Sequence, residues 1–107
     1  MKYWTVTFSR LPADAMAIYP LMIFKKRALK ESHVIINHEM VHFRQQLELL
    51  VIFFYLLYFL HYLINLIKFR NHRRAYFEIC FEKEAYANER NFEYLKQRTP
   101  YAWLKYF

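Results

Sequence analysis

The sequence predicts an α+β protein that is mostly α, with a small N-terminal antiparallel sheet, about three main helices and a short C-terminal helix. Residues 2–8 are rich in aromatic and β-branched side chains, whereas no strong helix breaker lies between residues 33 and 99. Hydrophobic residues make up 57% of the 107-residue chain. That share suffices for one hydrophobic core and indicates a single domain over residues 1–107.

The N-terminal region contains two predicted strands. Residues 2–8 are rich in aromatic and β-branched side chains, and residues 11–14 have the composition of a turn. Residues 16–26 are predicted to form the second strand. Pro20 lies inside it and has no N–H to donate, so this strand is expected at an edge of the sheet or with a bulge. An edge strand around residues 19–24 could pair with an extended peptide.

Helical segments follow the strands. Ser32 is the predicted N-cap of the first main helix, because its hydroxyl can accept a hydrogen bond from the first turn. Asn71 is the expected interruption of the long helical region that follows. Residues 74–96 are rich in Ala, Glu, Leu, Lys and Arg, which predicts a further helix. The pair Thr99-Pro100 is typical of a helix start, so residues 101–107 are predicted to form the C-terminal helix.

Residues 38–42 (His-Glu-Met-Val-His) match the pattern H-E-x-x-H. Positions four apart share one face of a helix, so His38 and His42 can offer their imidazoles to one metal ion. Glu39 follows the first histidine and could take a proton from a metal-bound water. The alternative is a helix with two hydrogen-bonded histidines and a solvated glutamate.

A catalytic zinc site commonly has three protein ligands and an open position for water. The helical period places Glu78, Glu82, Glu89 and Glu93 near one face of the downstream helix, while Glu84 points away. Periodicity alone does not choose between Glu78 and Glu82. Each of these glutamates could instead be a solvated carboxylate beside Lys and Arg neighbours.

Residues 49–60 form an unbroken apolar run, which further apolar residues extend to residue 67. A transmembrane helix needs about 20 predominantly apolar residues. The run reaches that length only by including His61 and Asn65, although basic residues follow it as they would at a membrane boundary. A single membrane-spanning helix over residues 49–67 is therefore a competing prediction.

The distances that a third ligand requires argue against a membrane span. A span would hold the histidines and the downstream glutamates on opposite sides of about 30 Å of hydrocarbon. A break near residues 51–55 and a turn at Asn71 would instead bring Glu82 level with the histidines. We therefore predict an antiparallel helical hairpin whose apolar run forms the core.

The net charge of +7 indicates an anionic partner or a solvated basic face. No nucleic-acid-binding motif accompanies the charge, so we expect no nucleic acid and allow peripheral contact with an anionic membrane surface. Residues 1–10 lack the apolar segment of a signal peptide. The single Cys80 fits a reducing compartment. We therefore expect a cytoplasmic protein, with membrane association as an option.

Residues 38–48 (His-Glu-Met-Val-His-Phe-Arg-Gln-Gln-Leu-Glu) and residues 82–86 (Glu-Lys-Glu-Ala-Tyr) resemble the gluzincin class of zinc metallopeptidases. In that class the third ligand is a Glu on a later helix. The first segment is also similar to the metallopeptidase domain of the bacterial beta-lactam-sensing receptors. Most of the chain, over residues 16–98, is similar to small bacterial proteins of the minigluzincin type.

The resemblance implies a zincin-like fold in which Zn²⁺ is held by His38, His42 and Glu82, with Glu39 as the general base. Tyr86 stands where the family has an Asp that supports a histidine ligand. Either Glu89 or Asn37 would have to supply that support here.

Together these observations predict a zinc-dependent metallopeptidase that hydrolyses a peptide or protein substrate. Two alternatives remain open at the level of the sequence. One is a non-catalytic, zinc-binding regulatory domain, and the other is a small basic single-span membrane protein without a metal site.

Overall fold

A computed structural model describes residues 3–107. The strands are β1 (Trp4–Thr7), β2 (Ala15–Ile18) and β3 (Leu21–Phe24), and a 3-10 helix follows at Arg27–Glu31. The α-helices are α1 (His33–Glu48), α2 (Ile52–Phe69), α3 (His72–Phe77), α4 (Cys80–Asn88) and α5 (Tyr94–Gln97), before a 3-10 helix at Ala102–Tyr106. The protein is about 60% helical, so the predicted α+β, mostly α class is confirmed.

The three strands form one sheet in the order β1-β3-β2. β2 pairs with β3 in the antiparallel sense, whereas β1 pairs with β3 in the parallel sense, with Trp4 opposite Leu21. The predicted antiparallel sheet is therefore wrong for β1. The chain reverses direction between β1 and β2 and again between β2 and β3, so the first and third strands run the same way.

The single strand predicted over residues 16–26 is wrong as well, because Tyr19 and Pro20 form a turn between β2 and β3. Pro20 thus ends a strand instead of bulging it, and its carbonyl accepts a hydrogen bond from the N–H of Trp4. β3 lies in the centre of the sheet with a partner on each side. The prediction that residues 19–24 form an edge strand for a peptide is consequently wrong, and the edge strands are β1 and β2.

The open edge of β2 is already occupied by side chains. The amide of Gln46 donates to the carbonyl of Ala17 (2.7 Å), and its oxygen accepts from the N–H of Tyr19 (2.7 Å). The hydroxyl of Tyr55 donates to the same Ala17 carbonyl at 2.5 Å. A peptide could add to this part of β2 only if Gln46 moved away.

Helix ends are built without glycine. Ser32 caps α1 as predicted, since its hydroxyl accepts from the N–H of Ile35. After Glu48 the chain turns through Leu50 and Val51, both with positive φ. The left-handed region that Gly normally fills is thus occupied here by apolar residues, at a cost in backbone strain.

The break between α1 and α2 lies at residues 49–51, which overlaps the predicted range of residues 51–55 only at Val51. Asn71 interrupts the helical region as predicted, because its side chain accepts from the N–H of Arg74 and caps α3. Arg70, with φ of 52°, ends α2 in the left-handed conformation.

The continuous helix predicted over residues 74–96 is wrong, because the segment contains three short helices. Ile79 is extended, and the N–H of Cys80 donates to the imidazole of His61 at 3.1 Å. Beyond α4, the amide of Asn37 donates to the carbonyls of residues 88, 89 and 91. These tertiary hydrogen bonds override the helical preference of the local sequence. The predicted C-terminal helix is a 3-10 helix over Ala102–Tyr106.

Two clusters of buried side chains form the core on either side of α1. The cluster against the sheet contains Ala17, Met22, Phe24 and Phe43. The cluster against the later helices contains Phe54, Ile79, Cys80, Phe81 and Trp103. Within α2 only Phe54 and Asn65 are buried. The prediction that the apolar run of residues 49–67 forms the core is therefore wrong for most of its length.

Candidate metal centre

Two histidines on α1 form the first part of the centre. His38 and His42 lie one helical turn apart, and their Nε2 atoms are 3.2 Å from each other. Both are buried, with 7% and 5% of their surface exposed. The helical register predicted from the sequence thus places the two imidazoles on one face, as H-E-x-x-H requires.

Glu82 of α4 completes the group. Its Oε1 lies 3.1 Å from the Nε2 of His38 and 3.1 Å from the Nε2 of His42. The three ligand atoms therefore form an almost equilateral triangle in a buried location. This arrangement could hold a metal ion.

The far nitrogen of each imidazole is held by its own partner. Nδ1 of His38 donates to Oε1 of Glu89 at 2.9 Å, and Nδ1 of His42 donates to the side-chain oxygen of Gln45 at 2.8 Å. Such partners fix the ring orientation and leave Nε2 available to a metal. Glu89 thus supplies the support left open in the sequence, while Asn37 holds the backbone around it.

The second oxygen of Glu82 is also held. The hydroxyl of Tyr58, from the inward face of α2, donates to Oε2 at 2.5 Å. Oε1 is therefore the oxygen that faces the histidines. Three separate helices, α1, α2 and α4, contribute to the orientation of the ligand atoms.

A chain of buried polar groups extends from His42 to the C-terminal region. The amide of Gln45 donates to Glu84 at 2.9 Å, and Glu84 accepts from the guanidinium of Arg98 at 2.5 Å. Arg98 also donates two hydrogen bonds to Glu48, at 2.9 and 3.0 Å. Burial alone lowers the pKa of Arg98, but the hydrogen bonds and charges of the two glutamates raise it above its ordinary value.

Sequence reasoning missed this network. Glu84 was correctly expected to point away from the metal ligands, yet it supports one of them through Gln45. The pairs Gln45–Glu84, Glu84–Arg98 and Arg98–Glu48 are 39, 14 and 50 residues apart in the chain, so no local spacing identifies them.

Glu39 is buried beside the ligands, with 7% of its surface exposed. Burial raises the pKa of its carboxyl group, and the nearby His42 and His38 act in the opposite direction. A cation bound by the triad would add a stronger opposing charge and favour the ionised form.

The remaining candidates lie elsewhere. Glu78 is partly exposed and pairs with Lys83 at 3.5 Å, and Glu93 pairs with Lys96 at 3.2 Å. The ambiguity that periodicity left between Glu78 and Glu82 is thus resolved by position. Nδ1 of His72 lies 2.6 Å from the hydroxyl of Tyr62, and His72 forms no hydrogen bond with His38, His42 or Glu82.

An open apolar hollow is lined by His33, Ile36, Asn37, Met40 and Phe92. By helical spacing these α1 positions lie on the face of the helix opposite His38 and His42. The hollow is therefore separate from the metal centre.

No family model, no curated protein and no solved structure matches this chain. The zincin-like fold and the gluzincin assignment accordingly stay predictions.

The protonation of His42 gives the first prediction. Burial lowers the pKa of His42, but the charge of Glu82 and the hydrogen bond to it outweigh burial and raise the pKa to about 9. In the metal-free protein His42 is thus protonated at neutral pH, and a metal must displace that proton. The apparent affinity for Zn²⁺ should rise about tenfold per pH unit from pH 7 to pH 9 and then level off. Chelator competition across this pH range measures it, and a flat profile would contradict the pairing.

The stability of the metal-free protein should change with pH in the opposite direction from the zinc affinity, and should fall as pH rises. The His42–Glu82 pair contributes stability that is complete below the unfolded-state pKa of about 6.5 and is lost as pH rises through about 9. His42→Gln removes the titrating group and serves as the control for the thermal unfolding measurement.

The support by Glu89 gives the second prediction. Glu89→Ala removes the acceptor of His38 Nδ1 and should lower the metal affinity about 10- to 100-fold, because the ring loses its fixed orientation. Glu93→Ala is the matched control, since Glu93 is exposed and pairs with Lys96. Equal affinities for the two variants would show that Glu89 does not orient the ligand.

Proposed function

We propose that this protein is a zinc-dependent metallopeptidase of the gluzincin type. The observation that carries the proposal is the buried triangle of His38 Nε2, His42 Nε2 and Glu82 Oε1, with sides of 3.1, 3.1 and 3.2 Å. Glu39 lies beside it in the position that H-E-x-x-H assigns to a general base.

The donor set favours zinc. Two imidazole nitrogens and one carboxylate oxygen are the ligands of many catalytic zinc sites. Zinc bonds of about 2.0–2.1 Å in a tetrahedron place neighbouring ligand atoms about 3.3 Å apart. The triangle has nearly these dimensions. Three protein ligands leave the fourth tetrahedral position for water or substrate.

Zinc, when bound, polarises a peptide carbonyl and lowers the pKa of water. Glu39 accepts a proton from the attacking water as the water oxygen adds to the carbonyl carbon. Glu39 then gives that proton to the amide nitrogen as the C–N bond breaks. The products are a carboxylic acid and an amine, and Glu39 returns to its carboxylate form.

The supporting residues hold the ligand side chains in the orientation that this chemistry requires. Glu89, Gln45 and Tyr58 each hold one ligand side chain by a hydrogen bond to the atom that faces away from the triangle. Pre-organised ligands avoid reorientation during the reaction. In the gluzincin resemblance, Glu89 takes over the role of the Asp that Tyr86 replaces.

A second candidate, a zinc-binding domain without turnover, is favoured by one observation. Gln46 and Tyr55 occupy the carbonyl of Ala17 on the edge of β2, where an extended substrate would otherwise pair. This candidate keeps the same metal site and differs only in the absence of cleavage.

The third prediction concerns zinc content. Purified wild-type protein should contain about one Zn²⁺ per chain, and His42→Ala and Glu82→Ala should each lose it, because two remaining ligands bind weakly. Elemental analysis of folded protein measures the content. Glu78→Ala is the matched control, since Glu78 pairs with Lys83 at the surface and should leave zinc unchanged.

Well-folded wild type without zinc, under conditions where zinc is supplied, would overturn the metallopeptidase proposal. Zinc lost from the His42 variant but retained by the Glu82 variant would keep a metal site with a different third ligand.

The fourth prediction separates catalysis from binding. Glu39→Gln keeps the shape of the side chain but removes the proton acceptor, so zinc content should be unchanged while cleavage falls at least about 100-fold. The assay uses denatured casein and a mixture of quenched fluorescent peptides. Zinc-loaded wild type that cleaves neither, or no faster than Glu39→Gln, would favour the non-catalytic domain.

A further inference from the structure

The distribution of polar groups on α2 is the reverse of that in a water-exposed helix. The polar residues Tyr55, Tyr58, His61, Tyr62 and Asn65 all form hydrogen bonds to other parts of the chain. Asn65, for example, is buried and donates to the carbonyl of Ala75 at 3.2 Å. The polar face of α2 therefore points into the protein.

The outward face of α2 is entirely apolar as far as Lys68. Eight of its side chains are exposed by between 37% and 78%: Ile52, Phe53, Leu56, Phe59, Leu60, Leu63, Ile64 and Ile67. At 3.6 residues per turn these positions cover an arc of about 140° around the helix. Exposed apolar surfaces of this extent mark binding sites for proteins or membranes.

Further apolar side chains continue this surface beyond the helix. Leu50 precedes α2 and is 71% exposed. Phe107 stacks on His61 of α2, with ring centroids 4.6 Å apart, and is 69% exposed. The C-terminal residue thus lies beside α2 and enlarges the apolar surface.

Basic residues are concentrated at the C-terminal end of this surface. They are Lys68, Arg70, Arg73 and Arg74. The side chains of Lys68 and Arg74 lie over the ring of Phe69, at 5.2 and 3.9 Å from its centroid. Residues 49–77 contain no acidic side chain. An apolar surface flanked by basic residues without acidic ones is complementary to an anionic lipid surface.

We infer that α2 attaches the protein to an anionic lipid bilayer, lying in the interface with its apolar arc among the acyl chains and its basic end among the headgroups. This inference does not depend on the proposed peptidase activity. The net charge suggested peripheral membrane contact, and this inference assigns that contact to the outward face of α2.

The structure argues against a bilayer crossing by α2. By length and apolar composition the 18-residue helix could cross a membrane, but one such helix is weak evidence for a span. A crossing helix would place its inward face, and the partly exposed pair Glu78 and Lys83 on the adjoining elements, at membrane depth. Interfacial attachment leaves these charges in water.

A second copy of the chain is a weaker candidate than lipid for the occupant of this face. The arc is wider than the narrow a/d seam by which two helices pair. It also carries no polar residue to set a register, and parallel packing would bring two basic ends together. Lipid imposes no register and supplies the opposite charge.

The fifth prediction tests this attachment by flotation. The full chain is synthesised in the presence of vesicles of phosphatidylcholine, with or without about one third phosphatidylglycerol. The wild type should float with the anionic vesicles, with about tenfold more bound than to the neutral ones. High salt should weaken the binding, since the basic end contributes through screened charges.

Two matched variants identify the surface. Phe59→Asp introduces a charge into the apolar arc and should reduce binding about tenfold. Phe92→Asp makes the same change at a similarly exposed aromatic outside the arc and should bind like wild type. Circular dichroism establishes that both variants fold, and Lys68→Gln combined with Arg73→Gln tests the charge contribution.

Three results would overturn the inference. The first is wild type that stays with the soluble fraction at low salt. The second is a soluble dimer that Phe59→Asp dissociates, which would assign the face to a second copy. The third is wild type that resists extraction from vesicles by alkaline carbonate, which would indicate a span. Zinc content, measured in the same samples, reports separately on the proposed enzyme function.

Discussion

The carboxylate of Glu82, placed between His38 and His42, is the interaction on which the rest of the structure depends. Burying an ionised carboxylate carries a large desolvation cost that only nearby opposite charge and hydrogen bonds can offset. Here two imidazoles and the hydroxyl of Tyr58 surround it. Burial raises the pKa of Glu82, but the charges and hydrogen bonds of the two imidazoles lower it below the ordinary value. The three partners come from α1 and α2, so the chain must turn after α1 and return along α2 before α4 can reach the site. A bound metal would replace the proton of His42 in this arrangement and leave its supports unchanged.

The interior of this small protein is unusually polar. The buried Glu84 and the partly buried Glu48 and Arg98 form a hydrogen-bonded network that joins the end of α1 to residue 98 and supports Gln45 behind His42. Such a network is stable only when its donors and acceptors are satisfied. Among the described residues, every buried side-chain nitrogen and oxygen has a partner. The most apolar helix, α2, has its hydrophobic face outward and its polar side chains hydrogen-bonded to the rest of the chain. The two sides of α2 thus have different roles. The inward side supports the metal centre through Tyr58, and the outward side forms the proposed membrane-binding surface.

The sheet packs against α1, and the edge of β2 is not open to a peptide. β3 is central, and the edge of β2 lies against α1, where Gln46 takes the hydrogen-bonding positions of a neighbouring strand. Gln46 and His42 are four residues apart on α1, so the side chain that closes the edge lies one turn from a metal ligand. If the protein cleaves peptides, substrate has to displace this side chain or approach along another path.

The sequence by itself determined the features that depend on local spacing. The four-residue interval of H-E-x-x-H placed both imidazoles on one helical face, the hydroxyl of Ser32 caps α1 as predicted, and Asn71 interrupts the helical region as predicted. The requirement that Glu82 reach the histidines also predicted the break after α1. Only the tertiary structure decided between Glu78 and Glu82, divided residues 74–96 into short helices, and placed β3 in the centre of the sheet. It also decided which face of α2 is buried. These outcomes depend on hydrogen bonds between residues far apart in the chain, such as Cys80 with His61 and Asn37 with residues 88–91, and helical propensity carries no information about such partners.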